Sequence, residues 1–152
     1  MTRILPMIVL LVMVLPPGCA PKESYQVDVK NDLDTPVIVW LTKSGPPYEG
    51  PWRPPEEVAL DRPGEEEVVG GVVVPPGKGA YSPEMRGEFP PGIDAVLRVY
   101  AGEREMSELL AMSRGSPDRV DVVLRPGKNR LVVRERDGRL VVEPDQPPPA
   151  ER

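Results

Sequence analysis

Arg130-Leu-Val-Val-Arg-Glu-Arg-Asp137-Gly138-Arg139-Leu-Val-Val-Glu143 reads as a β-hairpin, and that reading decides the fold class. Asp-Gly accepts the positive φ angles that a two-residue type I′ turn requires. With Asp137-Gly138 as the turn, Arg136 faces Arg139 and Arg134 shares their side, while Leu131, Val133, Leu140 and Val142 share the other. Burying the apolar side therefore exposes three arginines together.

Working outward, residues 25–30 alternate, with Val27 and Val29 opposed to Gln26, Asp28 and Lys30. Residues 37–42 are apolar on both sides, which predicts a central or covered strand containing Trp40. The turn-forming stretch 31–36 between them predicts that these two segments pair as a hairpin. Residues 94–101 set Ala95, Leu97 and Val99 against Val96, Arg98 and Tyr100, and residues 119–124 point Val120, Val122 and Leu124 inward. Residues 68–74 form a β-branched run with a bulge expected at Gly70 and Gly71, and residues 80–89 a weaker strand. Residues 105–112 carry Met106, Leu109 and Leu110 at helical spacing, yet the piece is short and lies between strands, so a strand is expected there. The proline-rich stretch 44–63 reads as a long ordered loop with one helical turn near 56–60.

Seven to nine short strands are thus expected, and the 22 prolines and 14 glycines oppose long helices. The expected fold class is all-β: an antiparallel β-sandwich, immunoglobulin-like or transthyretin-like, preceded by a signal or anchor segment. Its boundaries are residues 25–143, with a short tether at 19–24 and a disordered Pro-rich tail at 144–152. A chain of 152 residues has room for one such domain.

Residues 1–18 read as a signal sequence, with Arg3 as the positive n-region and an apolar run from Ile4 to Leu15 interrupted at Pro6. That run is shorter than the roughly 20 residues that cross a bilayer. Gly18 then precedes Cys19, the only cysteine, so no internal disulfide forms. The junction resembles the lipobox of bacterial lipoprotein precursors, with Pro16 and Pro17 standing where that family carries Leu and a small residue. The resemblance implies a diacylglyceryl thioether on Cys19, cleavage just before it, and a domain anchored by lipid to a cell membrane or outer membrane, on its periplasmic or extracellular side. Two alternatives stay open: an ordinary secretory cleavage between Ala20 and Pro21, and an uncleaved anchor.

Charge and residue types narrow the function. The formal charge of −5 argues against nucleic acid as a partner. The chain has no histidine, which removes Ser-His and Cys-His catalysis, and no phosphate-cradling glycine loop followed by Lys-Ser/Thr. Glu65-Glu66-Glu67 reads as a solvated loop, and Asp32 with Asp34 as a tight turn more than as a Ca²⁺ site. No cofactor or metal is expected. Tyr48 and Trp52, in the stiff loop, are candidates either to meet a ligand or to cap the core. Residues 114–139 hold 8 basic and 4 acidic side chains, unlike the acidic remainder. Arg134, Arg136 and Arg139 are accordingly candidates to contact an envelope glycan, anionic lipid or acidic protein, or to serve as a solubilising edge. The function expected is that of a non-catalytic lipid-anchored envelope module, for binding or structure. The alternatives are a small envelope enzyme using paired carboxylates on glycans and a Ca²⁺-binding module.

Overall fold

The structure, a computed structural model, describes residues 22–62 and 71–145. The segment read as a signal sequence, Cys19, the acidic run at 65–67, Gly70 and the residues beyond 145 lie outside the described residues. Among the described residues nine strands make a two-sheet sandwich, which is the expected all-β class. The front sheet joins β1 (Lys22–Asn31), β4 (Gly79–Tyr81), β5 (Met85–Glu88), β8 (Gly127–Arg136) and β9 (Arg139–Pro144). β4 and β5 both pair with one edge of β1, β8 pairs with the other, and β9 follows β8. The back sheet runs β3 (Val72–Val74), β2 (Val37–Lys43), β6 (Ala95–Ala101), β7 (Arg119–Val123). All pairs are antiparallel except β1 with β8, which is parallel from Tyr25–Gly127 to Asn31–Val133.

Alternation places the core between the sheets. Tyr25, Val27, Val29, Leu131, Val133 and Leu140 enter from the front, and Val37, Val39, Ala95, Leu97 and Val99 from the back. The hairpin forms as read: Asp137 and Gly138 have φ of 53° and 71°, and Arg136 pairs with Arg139.

Three expectations are corrected. Residues 25–30 and 37–42 are not a hairpin, because β1 and β2 belong to different sheets. The stretch between them is a corner pinned by the buried Asn31. Its Nδ2 donates to the carbonyls of Thr35 (2.8 Å) and Val74 (2.9 Å), and its Oδ1 accepts from Leu33 N–H (3.0 Å). A strand apolar on both faces needs cover on both, and only the centre of the back sheet supplies it. Residues 80–89 are two short strands, β4 and β5, rather than one. Residues 105–112 contain a helix, α2 (Met106–Ala111), started by a capping box in which Glu105 and Glu108 each bond the other's backbone N–H. In addition, β1 begins at Lys22, inside the segment read as a tether.

The long loop holds a 3₁₀ turn (Gly50–Trp52) and α1 (Pro55–Asp61). Both helices lie on the outer face of the back sheet, where Val58, Met106, Leu109 and Met112 pack on Ile38, Trp40 and Tyr100. Polar pins hold them there. Glu56 takes a bidentate pair from Arg98 Nη1 (2.9 Å to each oxygen), Arg53 carbonyl accepts from Trp40 Nε1 (2.8 Å), and Met112 carbonyl accepts from Arg119 Nη1 (2.8 Å). Arg119 also forks onto Asp121 at 2.9 Å through Nε and Nη2.

Candidate functional site

With helices on the back sheet, the outer face of the front sheet is the open broad surface among the described residues. Period-2 geometry and strand register say what stands on it. β1 contributes Lys22, Ser24, Gln26, Asp28 and Lys30; Glu88 stands opposite Lys22, Arg86 opposite Ser24, and Tyr81 opposite Asp28. On the other side Lys128 aligns with Gln26, Arg130 with Asp28, and Val132 with Lys30. β9 completes the rows, placing Glu143 beside Val132, Val141 beside Arg134, and Arg139 beside Arg136.

This one face therefore carries eight cationic side chains, Lys22, Lys30, Arg86, Lys128, Arg130, Arg134, Arg136 and Arg139, against three carboxylates, Asp28, Glu88 and Glu143. The protein as a whole has charge −5, so the excess is local. Two further carboxylates reach it from flanking turns. Asp32 bonds Lys30 (2.6 Å) and Arg134 (3.3 Å), and Glu84 lies 3.5 Å from Arg86. Glu143 takes Arg136 at 2.8 Å and Arg134 at 3.6 Å. The hydrogen bond from Lys30, reinforced by Arg134, holds the Asp32 carboxyl below its ordinary value, so the anion persists in mild acid. Lys128, Arg130 and Arg139 have no ion-pair partner among the described residues. Tyr81 is 80% exposed on the same face.

The residues singled out from sequence divide. Arg134, Arg136 and Arg139 do stand together, exposed, at the hairpin end of this face. Two of them are partly neutralised by Asp32 and Glu143, so the trio is one corner of a larger cationic surface. Trp52 is fully buried and presents no ring to solvent. It closes one end of the core against Tyr25 (centroids 5.5 Å) and Phe89 (5.1 Å), with Nε1 donating to Arg86 carbonyl at 3.0 Å. Tyr48 is half-buried in the same loop. Asp32 is occupied by its two cations, and among the described residues no group of three or more acidic, Cys or His side chains converges to hold a metal ion.

Two features escaped sequence reading. Lys43 is 1% exposed, yet its ammonium is saturated: it bonds Glu49, the carbonyls of Pro47 (3.1 Å) and Glu88 (2.6 Å), and lies 4.7 Å from the Phe89 ring centre. It clamps the proline-rich loop and β5 to the end of β2. Between the β3 and β4 edges lies a 350 Å³ crevice lined by Val29, Val39, Val72, Ala80 and Met85, with Gly71 at its rim. The cationic face escaped in part as well. Its charges were visible as alternation in residues 22–30 and 128–136, but their union depends on the parallel β1–β8 pairing. Compared with known proteins, the chain matches no family model and no curated protein sequence.

Proposed function

We propose that the chain is an exported, lipid-anchored, non-catalytic module that binds a polyanionic surface at the cell envelope. The observation that carries this reading is the cationic face, open among the described residues and built on the same strand that leads back to Cys19. β1 starts at Lys22, so only Ala20 and Pro21 separate it from the thiol. Three residue steps span at most about 10 Å. An acylated Cys19 would hold that strand close to a membrane, and two or three acyl chains contribute about 0.8 kcal/mol per buried methylene. Among the described residues no helix is long and apolar enough to cross a membrane, and the reading requires none.

The non-catalytic part rests on how the described acidic groups are used. Glu49 holds Lys43, Glu56 holds Arg98, and Asp121 holds Arg119, each as a structural tie. The Ca²⁺ alternative gains nothing from Asp32, whose oxygens are taken by Lys30 and Arg134. The test is Cys19→Ser in cells fed a palmitate analogue. Labelling is expected to vanish, and the domain is expected to leave the membrane fraction. Labelling that persists on the variant overturns the anchor.

A further inference from the structure

Resting on that anchored reading, we infer that the front sheet lies flat on the membrane, its cationic face against anionic lipid headgroups. Position comes first. The face begins at Lys22, beside the tether, and ends at the Asp137-Gly138 turn. β8 alone spans Gly127–Arg136, about 30 Å at strand rise, and β1 starts three residues before the level of Gly127. If the sandwich stood upright on its tether, Arg136 and Arg139 would be held about 40 Å from the anchor. That is several screening lengths at physiological salt, where the Debye length is about 8 Å. Laid flat, all eight cations come within one such length of the headgroups.

Charge and shape agree with that orientation. The cations spread along the whole face, from Lys22 and Arg86 through Lys128 and Arg130 to Arg139, so a planar anionic partner satisfies more of them than a compact one. Lys128, Arg130 and Arg139, the three without ion-pair partners among the described residues, occupy its middle and far end. Tyr81 adds an exposed ring with a polar tip, the side-chain type that settles at the headgroup level. The opposite broad face is taken up by α1 and α2.

The experiment uses the mature acylated protein, beginning at Cys19, reconstituted into vesicles, with a fluorophore on one introduced cysteine: Gln26→Cys on the front face, or Ser107→Cys on α2. The quencher is a nitroxide on the lipid headgroup, and flotation with vesicles of neutral lipid reports the anchor separately. In vesicles containing about a third phosphatidylglycerol, residue 26 is expected to be quenched several-fold more than residue 107. High salt, or Lys128→Glu with Arg130→Glu and Arg139→Glu, should bring the two positions level. Unequal quenching without flotation on neutral vesicles would sink the lipid anchor and leave the face standing. Equal, weak quenching of both positions on protein that does float overturns the flat orientation, and points the face at another polyanion such as an acidic glycan.

Discussion

The indole of Trp52 crosses Gly87 so closely that a β-carbon at that glycine would stand 2.8 Å from Nε1 and 3.1 Å from Cε2. The approach is fixed by the Nε1 bond to Arg86 carbonyl and by the two aromatic neighbours of the ring. Gly87 is thus the gap in β5 through which one end of the core is capped. The indole cannot retreat, because its far side is packed.

Gly87→Ala is therefore expected to cost about 1–3 kcal/mol through overpacking. Trp52→Ala, which empties the site, should cost more, about 3–5 kcal/mol. Urea unfolding of each purified variant measures both. An alanine at 87 that leaves the midpoint where it was would show that the ring does not press on β5.

At the hairpin tip the prediction turns on backbone sign. Asp137 and Gly138 have φ of 53° and 71°, the left-handed region a β-branched residue resists. Gly138→Val should lower stability by about 1–3 kcal/mol, while Gly138→Asn, whose side chain tolerates that region, should lower it less. Thermal melting ranks the three proteins. A valine variant as stable as the parent would place the turn elsewhere, and with it the alignment of Arg136 and Arg139.

Much of this was legible in the residues, and the failures have physical causes. Alternation identified which side chains face inward on β1, β6, β7, β8 and β9, because a half-buried strand must sort its residues by face. Partners were less legible. The turn residues at 31–36 suit a hairpin or a corner equally, and the choice is made by Asn31 reaching Val74, 43 positions away. α2 was passed over although Met106, Leu109 and Leu110 stand at helical spacing, because six residues between strands are short for a helix and its cap is glutamate, an uncommon N-cap. Trp52 in a proline-rich loop could face either way, and Gly87 decided it. Three arginines of the cationic face were read from one hairpin; the remaining five needed the register of β1 with β5 and with β8.

Alkali should unfold the domain through two tyrosines. Burial, joined by the hydrogen bond and charge of Glu23, lifts the Tyr25 hydroxyl far above its ordinary 10.0. Tyr100 is also raised, burial outweighing the opposing pull of Arg119 and Arg98. In the unfolded chain both would release their protons near pH 10, whereas the folded chain keeps them. Above that pH the folded state binds more protons than the unfolded one, so stability falls as pH rises. The contribution is fully present below about pH 10 and is lost on the way to the raised folded values. Spectrophotometric titration of the four tyrosines, run beside circular dichroism, tests this. Two should ionise only as the fold is lost, and Tyr25→Phe should flatten the alkaline decline in melting temperature. Reversible ionisation of Tyr25 and Tyr100 near pH 10 in a folded chain would show that neither hydroxyl is buried as described.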